Sequence, residues 1–140
     1  MNIEVNKVDS GKQLDAVFSI RQVVFVEEQR VDPALEYDEF EETSTHFIAY
    51  VDKVPAGTAR WRKTPNGIKL ERFAVLKNFR NKGVGGELIQ TVLDDLPSKM
   101  DVYLHSQVKA CNLYKRFGFV QEGQQFEEAN IQHYKMTLKK

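Results

Sequence analysis

Two hydrophobic periods follow one another at the start of the chain. Residues 2–8 alternate apolar and polar side chains, which is the period of a strand. Apolar side chains then recur at helical spacing, with the aliphatic stem of Arg21 on the same face, and predict a first helix that ends near Glu28. Ser10 is the expected N-cap of this helix, and Gln13 occupies the reciprocal position of a capping box.

The middle of the chain changes to a period of two. Pro33 first opens a short helical turn. Three runs with strand periodicity then follow, separated by turn residues: 45–51, 54–63 and 68–76. Short connections of this kind join antiparallel strands, so the three runs predict a meander.

The last part of the chain predicts two helices and three further strands. A glycine-rich segment after Phe79 opens a helix with one apolar face, and Pro97 ends it. Residues 101–106 are expected to form a short buried strand and 107–117 a helix that Gly118 stops, before two final strands. The order β-α-(α)-β-β-β-α-β-α-β-β predicts an α/β fold with a mixed sheet, antiparallel at first and then parallel across a crossover.

Composition indicates one globular domain over residues 1–140. Lysine plus arginine equals aspartate plus glutamate, 20 against 20, which gives no electrostatic basis for a nucleic-acid or membrane partner. No apolar run approaches the ~20 residues of a membrane-spanning helix. The N-terminus lacks a signal-peptide pattern, and the single cysteine, Cys111, cannot form an internal disulfide, so we expect a cytoplasmic protein.

The segment from Arg80 to Gly86, RNKGVGG, is the strongest chemical signal in the sequence. A glycine-rich turn at a helix N-terminus binds anions, because unpaired amides and the helix dipole face the incoming charge. Its glycines allow a diphosphate to approach closely, and Arg80 and Lys82 add positive charge. A P-loop would need Gly-Lys-Ser/Thr, and a dinucleotide turn would need glycine where Leu88 stands. The remaining pattern is Arg/Gln-x-x-Gly-x-Gly/Ala.

Two segments resemble, in order and at the expected separation, motifs of the GCN5-related N-acetyltransferase family: KLERFAVLKNFRNKGVGGELI (69–89) and LHSQVKACNLYKRFGFVQEG (104–123). The stretch IRQVVFVEEQRVD, with Arg21 and Gln29, resembles a small bacterial branch of that family. The resemblance implies a single N-acetyltransferase domain whose mostly antiparallel sheet of six to seven strands is splayed in the middle and flanked by about four helices. It also implies acetyl-CoA as cosubstrate and no metal.

The resemblance assigns coenzyme A contacts residue by residue. In the family, the splayed fourth strand binds the pantetheine arm, and the glycine-rich turn binds the pyrophosphate. For Asn112, a simple exposed helix position is the alternative. The implied contacts are Phe73, Ala74, Val75, Arg80, Asn81, Lys82, Gly83, Val84, Gly85, Gly86 and Asn112.

Forming an amide from a thioester requires a neutral amine, donors for the oxyanion and a proton for the departing thiolate. The resemblance makes Tyr114 the general acid, with aromatic packing as the alternative. Glu71 is the candidate base, acting through ordered water, and a solvent-facing strand glutamate is the alternative. His105 and His133 are rival bases. Cys111 is interpreted as a small packing residue.

The acceptor side is less defined by the sequence. Between Glu27 and Glu42 there are eight acidic residues and one basic residue, Arg30. They form either a solvated loop or, with Glu127 and Glu128, a site that recruits a cationic amine. The leading hypothesis is acyl transfer from coenzyme A to a primary amine of a small molecule or peptide in a ternary complex. The alternative is a catalytically silent acyl-CoA sensor or interaction module. A monomer or homodimer is expected.

Overall fold

Seven strands form one mixed sheet in the computed structural model, which describes residues 1–97 and 99–139. The strands are β1 (Ile3–Lys7), β2 (Thr45–Val51), β3 (Val54–Thr64), β4 (Gly67–Val75), β5 (Val102–Gln107), β6 (Phe119–Glu128) and β7 (Ile131–Leu138). The α-helices are α1 (Gly11–Arg21), α2 (Pro33–Glu36), α3 (Val84–Asp95) and α4 (Cys111–Lys115). The predicted α/β class, strand number and element order are confirmed.

The sheet order is β1-β2-β3-β4-β5-β7-β6. The first four strands are antiparallel to their neighbours, and so are β5, β7 and β6. Only the central pair, β4 and β5, runs parallel within the described residues, with α3 as its crossover. The predicted switch from an antiparallel meander to a parallel crossover is therefore correct.

The central pair of strands separates early. Residues 68–70 of β4 pair with residues 102–104 of β5, and the ladder ends there. Just beyond, the β3–β4 register shifts between Thr58 and Arg60, and Arg72 adopts a left-handed φ of 60°. A bulge of this kind bends its strand and increases the local twist. The bulge therefore turns β4 away from β5 and opens the predicted splay.

The first helix reaches Glu28 as predicted but changes type on the way. After Arg21 the chain continues as a π-helix over Gln22–Glu28. Wider turns of this kind carry one extra residue each. Val24 and Phe25 are both buried at this point, in contact with the strand β4. The apolar pattern predicted the length of the helix and not its wider turns.

The N-cap of α1 differs from the predicted capping box by one residue. Ser10 Oγ accepts a hydrogen bond from the Gln13 amide at 3.2 Å, as predicted. Gln13 Oε1, however, accepts from the amide of Asp9 at 2.8 Å rather than from that of Ser10. The reciprocal bond therefore lies one residue before the cap.

The helix predicted over 107–117 is much shorter. A 3₁₀ turn covers Val108–Ala110, and α4 covers only Cys111–Lys115. Val108 is 41% exposed, so the apolar positions that suggested a longer helix do not form one buried face. Gly118, at φ 95°, is the predicted left-handed stop.

Two apolar clusters stabilise the sheet. The larger lies between the sheet and α3, where Leu88, Ile89 and Val92 are fully buried. The smaller joins the π-helix to β4 and to the β6–β7 turn. Its buried members are Ile20, Val24, Phe25, Val31 and Ala74, with Leu76, Ala129 and Ile131 packed against them. The smaller cluster lies beside the gap between β4 and β5.

Candidate active site

A cleft of about 1070 Å³ lies where β4 and β5 separate. Its walls come from β4, the glycine-rich turn, α4, the end of β5 and the β6–β7 turn. Most residues expected to contact coenzyme A line it: Phe73, Ala74, Val75, Arg80, Asn81, Gly83, Val84, Gly85 and Gly86. Of the same expected set, Lys82 and the exposed Asn112 are not among the described lining residues.

The glycine-rich turn presents the N-terminus of α3 to this cleft. Gly83 is the N-cap at φ 90°, a left-handed conformation that glycine adopts without strain. Among the described residues, no side chain caps this helix end. The first backbone amides of a twelve-residue helix therefore face the cleft with the positive end of its dipole.

The next two glycines have a packing role that the sequence did not reveal. A Cβ on Gly85 would lie 3.2 Å from Leu113 Cδ2, and one on Gly86 would lie 3.5 Å from Phe117 Cζ. Small residues here let α3 approach α4 closely. The turn thus serves both anion access and the contact that holds α4 beside the cleft.

Arg80 is held in place by the protein itself. Its Nη1 and Nη2 donate to the Glu28 carboxylate at 2.6 and 2.7 Å, and its Nε donates to the Val75 carbonyl at 2.9 Å. The sequence suggested only a free positive charge at the rim. The structure instead shows a bidentate pair that joins the end of the π-helix to the glycine-rich turn.

Tyr114 projects from α4 into the middle of the cleft wall. It is 7% exposed, and its ring meets Phe73 edge-on at 5.7 Å and Phe119 at 6.1 Å. Burial raises the pKa of the Tyr114 phenol above its usual value, so the hydroxyl stays protonated at neutral pH. The side chain is both an aromatic packing residue and a neutral donor at the cleft.

Glu71 lies on the opposite wall with its carboxylate already engaged. Arg60 Nε and Arg62 Nε each donate to its Oε2 at 2.8 Å, and Lys69 Nζ lies 3.4 Å from Oε1. Burial opposes ionisation, but the charge of Arg60 and the hydrogen bond from Arg62 outweigh it and lower the pKa of Glu71 to about 2. A carboxylate with so low a pKa is a weak base.

The two histidines expected near the acceptor both line the cleft. His105 Nδ1 lies 3.2 Å from Glu128 Oε2, and His133 Nδ1 lies 2.7 Å from the Ile131 carbonyl oxygen. The ring of Phe126 contacts both imidazoles, at 5.0 Å from that of His105 and 5.8 Å from that of His133.

Three acids between Glu27 and Glu42 have a structural role that was predicted neither by the solvated-loop interpretation nor by the amine-site interpretation. Glu36 is 3% exposed, and it binds Arg21 Nε at 2.8 Å. Glu41 bridges Arg21 and Arg60 through bonds of 2.7 and 2.8 Å, and Asp38 binds Arg60 bidentately at 2.7 and 3.0 Å. The other five acids of the segment are exposed, as expected of a solvated loop: Glu27, Glu28, Asp32, Glu39 and Glu42. Glu36, Asp38 and Glu41 are instead paired within the protein. They neutralise two fully buried arginines.

The roles of three further cleft residues were not predicted from the sequence. Gln29 and Gln107 exchange side-chain amide hydrogen bonds of 2.8 and 3.4 Å across the cleft, joining the segment after the π-helix to the end of β5. Arg72, at the bulge, reaches the Glu36 carbonyl and the Asp38 carboxylate at 3.2 Å. Contacts over such sequence distances leave no local pattern. Cys111 is buried, as expected of a packing residue.

No α-helix in the described ranges combines the length and apolar character needed to cross a membrane.

Known proteins share both the sequence pattern and the architecture. The family described as "Acetyltransferase (GNAT) domain" matches residues 14–140. The uncharacterized N-acetyltransferase YjcF of Bacillus subtilis (strain 168) is 37% identical over 129 residues, covering 89% of this chain and 91% of the relative. The crystal structure of Escherichia coli ElaA is similar with a TM-score of 0.86 and 27% identity, covering 99% of this chain and all of that one.

A more distant structure supports the fold. A GNAT family acetyltransferase from Elizabethkingia anophelis, solved with acetyl-CoA bound, has a TM-score of 0.71 at 16% identity, covering 97% of this chain and 95% of that one. The family match covers nearly the whole chain and agrees with the splayed sheet and the glycine-rich turn. The chain belongs to the GNAT acetyltransferase family.

Proposed function

We propose that this protein transfers an acetyl or other short acyl group from coenzyme A to a primary amine of a small molecule or peptide. The observation that carries the proposal is the uncapped N-terminus of α3, which opens into the cleft between β4 and β5 that Tyr114 borders. An anion site and a buried donor along one cleft suit a long ligand with a diphosphate at one end and a reactive group at the other.

The cleft offers each part of coenzyme A a suitable surface. The pyrophosphate would rest on the backbone amides between Asn81 and Gly86. The pantetheine arm would lie along β4 at Phe73 and Ala74, where the strand has left its partner β5. Backbone amides near Ala74 would donate to the oxyanion as the amine adds. A GNAT family acetyltransferase from E. anophelis was solved with acetyl-CoA bound, which supports the choice of cosubstrate.

The reaction then needs one acid and one base. The amine nitrogen bonds to the thioester carbon, the carbon–sulfur bond breaks, and the thiolate takes a proton from Tyr114. Its hydroxyl is suited to this role because burial keeps it protonated until charge develops on the sulfur. The proton lost by the amine goes to a base. Glu71, the candidate from the sequence, is poorly suited because its Oε2 accepts hydrogen bonds from Arg60 and Arg62 and its pKa is lowered to about 2.

The test is a Tyr114→Phe variant. We expect unchanged acetyl-CoA affinity by calorimetry and a fall in kcat of about 100-fold, the lower end of general acid contributions, by thiol release with a primary amine. Tyr103→Phe is the matched control, because its hydroxyl pairs with Thr64 at 2.8 Å and is not among the described cleft residues. Wild-type turnover in Tyr114→Phe would exclude the general acid role.

A catalytically silent acyl-CoA sensor is the other candidate. The sensor is favoured by the pairing of Glu71 with cations, because this pairing makes the base expected from the sequence a weak one. Titration of the wild-type protein with acetyl-CoA, followed by thiol release with phenethylamine, spermidine and L-lysine, separates the two. Binding without release on every amine supports the sensor.

A further inference from the structure

The acceptor amine needs a base, and the described groups on the β4 side of the cleft are already engaged. An alkylammonium has a pKa of ~10, so a carboxylate with a pKa near 2 is a very weak acceptor for its proton. Glu71 is in that position, held by Arg60, Arg62 and Lys69. The base must therefore come from the opposite wall.

His105 occupies the corresponding place on that wall. The ladder between the two central strands ends at Leu70 and Leu104, so Glu71 and His105 are the first residues after the strands separate. His105 lines the cleft with 24% of its side chain exposed. Its ring is held between Tyr103, at 6.0 Å, and Phe126, at 5.0 Å. The imidazole is thus accessible at one edge and fixed in orientation.

Glu128 completes the arrangement from the neighbouring hairpin. Its Oε2 lies 3.2 Å from His105 Nδ1, a distance at which Nδ1–H donates to the carboxylate. The hydrogen bond with His105 lowers the pKa of Glu128 against the opposing effect of burial, so the carboxylate is ionised at neutral pH. A neutral imidazole that is protonated on Nδ1 has its lone pair on Nε2.

We propose that His105 Nε2 removes the proton from the acceptor amine and that Glu128 is the positioning residue that fixes the imidazole in the required tautomer. The inference rests on the proposed function. The proton moves from the ammonium nitrogen to Nε2, and the resulting imidazolium is stabilised by the Glu128 carboxylate until the proton passes to water. The amine, now neutral, supplies the electron pair for the new carbon–nitrogen bond.

The other charged and titratable groups around this pair have partners of their own. From β4 these are Lys69 and Glu71, which face each other at 3.4 Å. From β7 they are Lys135, paired with Glu122 at 3.5 Å, and His133. Among the described residues, Glu128 is thus the carboxylate that is hydrogen-bonded to the His105 imidazole.

His133 is a weaker candidate than His105. Its Nδ1 bonds to a backbone carbonyl, which carries no full charge to stabilise an imidazolium. The residue is 6% exposed, and its ring stacks on Phe126 at an interplanar angle of 22°. His133 therefore supports the position of Phe126, which in turn packs against His105.

The first test reads the tautomer and needs no turnover. Long-range ¹⁵N–¹H NMR of the imidazoles, assigned with His105→Asn, should show His105 at pH 8 with hydrogen on Nδ1 and a bare Nε2. Glu128→Ala should lose this preference, and Glu128→Gln, whose amide oxygen can still accept, should restore it. Glu127→Ala, the same change on the adjacent exposed residue, is the control. Nε2–H in the wild type, or no change in Glu128→Ala, would overturn the proposal.

The second test is kinetic. We expect Glu128→Ala to lower kcat about tenfold and His105→Asn about 100-fold, with acetyl-CoA affinity within twofold of wild type. The double variant should be no slower than His105→Asn alone. Losses that add in the double variant would contradict the positioning role.

Failure of the proposed function is distinguishable from failure of this inference. If wild-type protein binds acetyl-CoA and releases no thiol with phenethylamine, spermidine or L-lysine, the acyltransferase proposal is not supported, and the NMR result alone decides whether Glu128 fixes the tautomer. If thiol release occurs and the Glu128 variants match wild type, the enzyme stands and the His105–Glu128 assignment falls.

Discussion

At the scale of single residues, the wall of the cleft on the β4 side depends on two buried arginines. Arg21 and Arg60 are fully buried, and both are hydrogen-bonded to carboxylates of the acidic segment. A buried charge is tolerated when its partners satisfy it, and removing one partner leaves a costly unpaired charge. The acidic segment is therefore part of the folded structure around β3 and β4.

The pairing of Glu71 predicts a specific dependence of stability on pH. Its pKa is lowered from 4.5 to about 2 in the folded state, so its contribution is present above pH 4.5 and is lost as the pH falls towards 2. We expect about 3 kcal/mol of the free energy of unfolding to disappear over this window. The free energy of unfolding of Glu71→Gln, measured by urea denaturation between pH 6 and 2, should lack this part of the pH dependence.

Asp38, with a pKa also lowered to about 2 by Arg60 against burial, should keep its own contribution in that variant. Glu39→Gln, at an exposed position of the same segment, is the control and should follow wild type. Identical slopes in Glu71→Gln and wild type would show that the ion pair does not stabilise the folded state.

At the scale of elements, the junction between β4 and α3 combines a conformational and a packing requirement. Gly83 supplies a left-handed N-cap, and the two glycines that follow it bring α3 against α4. The position of α4 in turn fixes Tyr114 beside Phe73. A change in the glycine-rich turn thus reaches the cleft wall that carries Tyr114 through the contact between two helices.

The Gly83→Ala variant tests the need for a left-handed backbone at this position separately from any steric clash of the added methyl group. A Cβ at this position would meet only Ile3 Cδ1, at 3.9 Å, within the described residues, so the cost is that of the left-handed backbone. We expect the free energy of unfolding to fall by about 1–2 kcal/mol. Gly11→Ala, at the first position of α1 with open space around it, should be neutral or slightly stabilising. Equal stability of both variants would contradict a required left-handed cap.

At the scale of the whole molecule, the cleft is crossed by contacts between its two ends. Gln29 is hydrogen-bonded to Gln107 across the separated strands, and Glu28 is paired with Arg80 at the glycine-rich turn. Both contacts start from the segment at the end of the π-helix. This segment therefore connects the end of β5 with the glycine-rich turn.

The Glu28–Arg80 pair predicts a gain in cofactor affinity on mutation. Lys77 and Lys109 also lie close enough to act on Glu28, so its carboxylate is an anion within a basic rim. Replacing it by glutamine removes a charge that repels diphosphate, and calorimetry should give acetyl-CoA binding roughly threefold tighter at low salt. Glu27→Gln, at the exposed neighbouring position, should leave affinity unchanged. Weaker binding in Glu28→Gln would mean that the pair is needed to orient Arg80.

Local patterns predicted those parts of the structure that depend on neighbouring residues. Strand periodicity, the Ser10 cap and the glycine-rich turn were recognisable because each arises within a few positions. The bulge at Arg72 and the arginine–carboxylate network were not, since their partners come from distant elements. For the same reason, the sequence identified Glu71 as a strand glutamate near the cleft but did not predict that Arg60 and Arg62 bind its carboxylate.

The short ladder between β4 and β5 has a consequence for how such a chain can diverge. Three residue pairs tie the register of the last three strands to that of the first four. An insertion or deletion after Leu104 therefore disturbs few hydrogen bonds in the earlier half of the sheet. The hairpin that carries Phe126 and Glu128 can change length or shape while the glycine-rich turn stays in place. Under the proposed function, a lineage built on this sheet can exchange one acceptor for another and keep the same acyl donor.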